Sequence, residues 1–89
     1  MPEKKPVELI FPTEYPVKVF GHDSVEFIDY VIEVVSRHVP ELTLESFTTN
    51  RSSGGKYVSV SVTFIAESRQ QVDALYEELG RDKRVLTAF

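Results

Sequence analysis

The sequence predicts an α+β sandwich whose segments run strand, helix, strand, strand, helix, strand over residues 15–89. Three observations support this. Residues 57–65 alternate strictly, with Val58, Val60, Val62 and Phe64 on one face and Ser59, Ser61 and Thr63 on the other, which is the signature of a half-buried strand. Two stretches, 27–39 and 72–79, place apolar residues at helical spacing. Each segment also carries its own stop signal in proline, glycine or a capping residue. Two helices with one apolar stripe each must cover one face of a four-stranded sheet. Right-handed crossovers then give an antiparallel sheet in the order 4-1-3-2. This is the ferredoxin-like βαββαβ two-layer sandwich.

Residues 1–12 read as an extended, partly disordered N-terminal arm, and residues 13–89 as a single domain. Pro6, Pro12 and Pro16 crowd the start, and proline removes a backbone donor, so this stretch is not a central strand. Its Val7, Leu9, Ile10 and Phe11 need cover, which the domain edge or a partner subunit would supply. Pro16 marks a strand entrance, and residues 17–20 form the first strand, with Val17 and Val19 inward and Lys18 and Phe20 outward. Asp23 with Glu26 reads as the N-cap of the first helix. Phe27, Ile28, Val31, Ile32, Val34, Val35 and Val39 form its stripe, Glu26, Asp29, Glu33 and Arg37 its wet side, and Pro40 its end. Residues 43–49 are rich in strand formers and pair with 57–65 across a Ser52-Ser53-Gly54-Gly55 turn. Ser68 and Gln71 form a second capping box, Val72, Leu75, Tyr76 and Leu79 the second stripe, and Gly80 a left-handed cap. Residues 85–89 close the sheet.

Composition narrows the functional classes. The chain has 89 residues, 42% hydrophobic, with a net charge of −4 and no cysteine. That size supports one modest core. The absence of cysteine removes disulfides, thiolate metal sites and cysteine nucleophiles. No signal-like run opens the chain and no stretch approaches the ~20 apolar residues of a membrane span, so a soluble cytoplasmic protein without a membrane partner is expected. Net acidity weakens attraction to phosphate backbones. RNA-recognition modules of this strand order carry outward aromatics in the third strand. Here Tyr57 stands alone, with Ser59 and Ser61 where the others belong, so no nucleic-acid partner is expected.

The candidate sites are modest. The Gly21-His22-Asp23 turn opens a helix whose free amides favour an anion. Gly21 would let backbone approach a ligand, and His22 would add a titratable contact. The same residues also suit a plain turn in which Asp23 is the cap and His22 is solvated. Arg51 and Lys56 flank the hairpin turn and, with Tyr57, Ser59 and Ser61, form a candidate interaction surface. His38 suits the helix C-terminus. Glu77 and Glu78 are adjacent on a helix and so are not a carboxylate dyad; they read as a solvated face. Arg81, Lys83 and Arg84 form a small basic cluster diluted by Asp82. No nucleophile–base pair, metal set or cofactor motif stands out.

Several segments together resemble the YbeD-like family of small bacterial proteins. They are Phe11-Pro12, Lys18-Val19 with Gly21, Val31, Glu33-Val34-Val35, Arg37-His38 and Pro40, then Ser52-Ser53, Gly55, Tyr57, Ser59-Val60-Ser61, Gln71-Val72 and the run from Leu75 to Gly80. The resemblance implies the ferredoxin-like fold and a similarity to ACT-type regulatory domains, which bind amino acids or other small effectors. Such domains place ligand at the first strand–helix turn, here Gly21 to Asp23. That turn lacks the proline of the usual ACT loop, and the order of its glycine and acidic residue is reversed.

The expected function is therefore a non-enzymatic regulatory or interaction module that needs no cofactor and acts through a protein partner or self-association. The alternative is an ACT-like sensor of a small anionic or amino-acid effector at Gly21, His22 and Asp23.

Overall fold

The structure, a computed structural model, describes residues 10–89. Its elements are β1 (Thr13–His22), α1 (Val25–His38), a 3-10 turn (Leu44–Ser46), β2 (Thr48–Arg51), β3 (Tyr57–Ala66), α2 (Arg69–Gly80) and β4 (Val85–Ala88). The strands form one antiparallel sheet in the order β2-β3-β1-β4, which is the expected order. The first nine residues of the expected arm lie outside the described residues; of the rest, Phe11 packs against the core.

The alternation in β3 positions the core. Val58, Val60, Val62, Phe64 and Ala66 are buried together with Val17 and Val19 of β1. Phe27, Val31, Val34, Val35 and Val39 from the first helical segment and Val72, Leu75 and Leu79 of α2 close over them in one cluster. Both helices thus lie on one face of the sheet, and among the described residues no helix covers the face carrying Lys18, Phe20, Ser59, Ser61 and Thr63.

β1 is longer than the expected 17–20 and takes in Pro16, opposite Thr63. Proline is tolerated there because of the direction of its missing donor. Lys18 exchanges both backbone hydrogen bonds with Phe89, so alternate residues, Pro16 included, turn their nitrogens toward the β4 side. The pairing of β1 with β4 reaches no further than Lys18, so no described partner is denied a bond at Pro16.

Four local readings are corrected. The N-cap of α1 is Ser24, whose Oγ accepts from the Phe27 amide at 3.1 Å, so Asp23 is released for another role. The second strand is only Thr48–Arg51. Residues 43–46 instead make local hydrogen bonds, Thr43 N to Ser46 Oγ at 3.2 Å and Ser46 N to Thr43 O at 2.9 Å, and such bonds compete with a strand ladder. Ser68 does cap α2, but Gln71 Oε1 accepts from Glu67 N at 2.7 Å rather than from the cap residue. Gly80 ends α2 in a right-handed conformation, and the positive φ, +75°, belongs to Gly55 in the hairpin turn.

The outer face is less wet than its composition suggests. Ser59 is only 5% exposed because larger residues stand on either side of it, Asn50 on β2 and Phe20 on β1. Val60→Asp is expected to abolish folding, since an unpaired charge at this buried position costs several kcal/mol. Thr63→Asp, on the exposed face of the same strand, should leave the denaturant midpoint nearly unchanged. Equal losses at the two positions would contradict the assignment of faces.

Candidate functional site

β1 runs directly into the turn before α1, and the ten-residue register with β3 brings that turn to the root of the β2–β3 hairpin. Asp23 N donates to Lys56 O at 2.9 Å. The Asp23 carboxylate accepts from Arg51 Nε at 2.7 Å. His22 lies opposite Tyr57, with ring centroids 5.1 Å apart. The two candidate regions, 28 residues apart in sequence at Asp23 and Arg51, are therefore one place in the fold.

Within the turn, the close approach that Gly21 permits is to its own chain. A Cβ at Gly21 would fall 2.4 Å from Phe27 Cε1 and 2.6 Å from the Arg84 carbonyl oxygen. The Gly21 position is needed for packing α1 and the β4 entrance against β1. With Asp23 held by Arg51 and Lys56, much of the turn's polar capacity is used internally.

The helix-free face has more relief. A hollow of about 210 Å³ is lined by Phe20, Asn50, Arg51, Ser52, Tyr57, Val58 and Ser59. A second, of about 300 Å³, lies along β1 and β3 at Pro16, Lys18, Ser61 and Thr63, with Phe89 at its side. Between them Phe20 stacks on Phe89, with centroids 5.7 Å apart and planes 20° apart, and Lys18 Nζ lies 5.9 Å from the Phe20 ring centre. Tyr57, Arg51, Ser59 and Ser61 of the candidate interaction surface all line one hollow or the other. Lys56 contributes its carbonyl to the turn. Asn50 and Phe89 are not candidates from sequence, and Phe20 is read only as outward, because the meeting of Phe20 and Asn50 with Ser59, and of Phe89 with Lys18 and Phe20, depends on cross-strand register.

On the opposite side, Glu78 joins the helices. Its carboxylate takes His38 Nε2 at 2.8 Å and Arg37 Nη1 at 2.8 Å, and its carbonyl accepts from Tyr30 Oη at 2.7 Å. Gln71 Nε2 adds a bond to the His38 carbonyl at 2.9 Å. Glu78 is thus an interhelical tie rather than part of a solvated face. The hydrogen bond from His38, followed by the Arg37 charge, holds its carboxyl below the usual carboxylate range despite some desolvation. Arg84 chelates Asp82 at 2.7 and 2.9 Å, which brings the Asp82 carboxyl down to about 2. Arg84 also lies 5.3 Å from the Tyr30 ring centre, so its charge is already engaged. Among the described residues, no group of three or more His, Asp or Glu side chains is arranged to hold a metal, and no helix is long and apolar enough to cross a membrane.

Two helices on one face of a β2-β3-β1-β4 sheet define a ferredoxin-like domain. Solved structures agree at the level of fold. Protein HP0495 from H. pylori superposes with a TM-score of 0.72 at 15% identity, covering 100% of this chain and 94% of that one. The ACT domain from GTP pyrophosphokinase of Chlorobium tepidum gives 0.68 at 12% identity, covering 86% and 83%. At the level of sequence, the chain belongs to the DUF493 family, described as a protein of unknown function, which it matches over residues 7–89. Its relatives include the UPF0250 protein YbeD of Escherichia coli O1:K1 / APEC, 47% identical over 73 residues that cover 82% of each chain. A UPF0250 protein of Pseudomonas aeruginosa strain PAO1 is 36% identical over 85 residues, 94% of this chain and 91% of that one. The resemblance read from the sequence is thereby established.

Gly21→Val should destabilise the fold by about 1–3 kcal/mol or more through overpacking against Phe27 and the Arg84 carbonyl. Chemical denaturation would show it, and an unchanged midpoint would mean that the contact relaxes freely. Because the folded Glu78 carboxyl titrates below its unfolded value, its contribution is present above the ordinary carboxylate range and is lost as pH falls through the lowered folded value. Glu78→Gln should therefore melt below wild type at neutral pH, with the gap closing as pH falls below the ordinary carboxylate range. A pH-independent gap in melting temperature would assign the loss to packing alone.

Proposed function

We propose that this protein is a non-enzymatic association module that binds a second copy of itself through the helix-free face of the sheet. The observation that supports this reading most directly is the apolar exposure on that face. Ile65 is 48% exposed and Phe89 64% exposed. They lie at opposite sides of a surface whose middle holds the small or neutral side chains Ser61, Thr63 and Pro16, with Lys18 and, opposite Ile65, Glu14 as a pair of opposite charges. Ile65 shares its face of β3 with Thr63 and Ser61 by alternation, and Phe89 lies on that face opposite Lys18. The acids of the helical layer, such as Glu26, Asp29, Glu33 and Glu77, are on the other side of the molecule. A face of this kind can dry out at modest cost, whereas the acidic helical surface would repel its own copy.

The size of the face indicates the strength of association. Strand spacing and rise give a patch on the order of 500 Å² per chain, at the lower end of specific interfaces. The expected dimer is reversible and concentration-dependent. Regulation through such an interface is consistent with the ACT-like fold, and the name of the fold supports it no further than that.

Sedimentation velocity on the full chain over a concentration series tests the reading. Wild type should move from monomer to dimer in the micromolar range. Ile65→Asp with Phe89→Asp should remain monomeric with an unchanged circular dichroism spectrum, since both side chains are exposed. A wild type that stays monomeric throughout, or a double variant that dimerises equally well, would rule out this face.

A further inference from the structure

We propose that the two copies of the dimer pack with their β1 strands antiparallel, so that Glu14 of each chain meets Lys18 of the other. This orientation rests on the association through the helix-free face proposed above, and it specifies how that face recognises its own copy.

The charges on the face are few and regularly placed. Glu14, Pro16 and Lys18 are alternate residues of β1, so all three side chains point away from the helices, and all three are exposed. Their partners on β3 are Ile65, Thr63 and Ser61. Among the described residues, neither Glu14 nor Lys18 takes part in an ion pair. Strand rise sets the two charges about 13 Å apart, with the Pro16–Thr63 rung midway between them.

Two copies that share one self-complementary patch are related by a twofold axis, and for sheets packed face to face the axis lies between them. Its direction decides which charges meet. An axis along β1 makes each strand parallel to its copy, with Glu14 on Glu14 and Lys18 on Lys18. Moving that axis to lie between β1 and β3 sets Glu14 on Ile65 and Lys18 on Ser61, so both charges lose water without gaining a partner. An axis across the strands at the Pro16–Thr63 rung reverses β1 against its copy. Glu14 then faces Lys18 of the second chain, and symmetry forms the pair twice. Packed sheets lie about 10 Å apart, a gap that a glutamate and a lysine reaching toward each other can span. Aligned sheets cross at about 30°. For charges about 7 Å from the axis, that crossing is a sideways shift of less than about 4 Å, within the reach of a lysine.

The uncharged residues suit the same arrangement. Ile65, 48% exposed, comes over Ser61 of the second chain, where a hollow of about 300 Å³ opens between Pro16, Lys18, Ser61 and Thr63. A large side chain thus meets a recess rather than another large side chain. Phe89 lies level with Lys18 on the β4 side. It therefore comes over the flank of the second chain's β1 beside Glu14, where no described strand lies.

Charge reversal in sedimentation velocity tests the orientation. Glu14→Lys alone and Lys18→Glu alone, both at exposed positions, should each weaken dimerisation at least about tenfold, because like charges then face each other twice. An equimolar mixture of the two variants should dimerise as wild type does, since every facing pair is again opposite in sign. The chain has no cysteine, so Ser53→Cys at the exposed hairpin tip takes a single spin label. Electron–electron distance measurement on the labelled dimer should place the two tips at least about 40 Å apart, at opposite ends. If Ile65→Asp with Phe89→Asp abolishes the dimer but the mixture associates no better than either variant alone, the face stands and the antiparallel orientation falls. A distance between tips well below 40 Å overturns the orientation in the same way. A wild type that stays monomeric throughout removes the face and the orientation together.

Discussion

The rest of the structure depends on the pairing of β1 with β3. The two ten-residue strands lie in register from Thr13 opposite Ala66 to His22 opposite Tyr57. That register puts Val17 and Val19 beside Val62 and Val60, so one face of the central pair is continuously apolar and can take both helices. A slip by one residue would move every one of these side chains to the other face. The helices are secondary to this arrangement. Their stripes need a flat apolar surface to cover, and the central pair provides it.

The same register also gathers the polar features. It carries the end of β1 to the root of the hairpin, where Asp23 meets Arg51 and His22 meets Tyr57. It sets Phe20 across from Ser59 and so creates the dent in the open face. On the helical side a different logic applies. Glu78 collects His38, Arg37 and Tyr30 from α1, so the two helices are joined to one another as well as to the sheet. The molecule thus has one side where Glu78 ties the helices together beneath a surface of exposed acids and one side whose apolar and hydrogen-bonding groups face outward.

Much of the architecture was legible in the residues because the signals were periodic. The alternation in β3 and the two helical stripes give the element order, and the order gives the sheet. Local competition was harder to read. Ser24 and Asp23 are both good caps, and only the geometry shows that Ser24 takes the Phe27 amide while Asp23 takes Arg51. Thr43 and Ser46 bond to each other and turn a segment with strand propensity into a 3-10 turn that leaves Leu44 72% exposed. That error displaced the second strand, and with it the placement of Asn50 beside Ser59. At Gly21 the sequence suggests the close approach of a ligand, whereas what approaches it in the structure is Phe27 and the Arg84 carbonyl. Cross-strand neighbours and packing partners depend on register, which local patterns do not carry.

Pro16 has a bearing on how such a sheet stays in solution. Among the described residues, β1 runs on past Lys18 with no strand on its β4 side, and a strand that outruns its neighbour is an invitation to edge-to-edge growth. With a proline in that stretch, an incoming strand would find an acceptor but no donor at that rung, and the ring would obstruct its approach. Lateral extension of the sheet, the first step toward a fibre, is blocked at the place where the central strand is most open. Association is thereby left to the faces of the molecule, where side chains rather than bare backbone decide which partner fits.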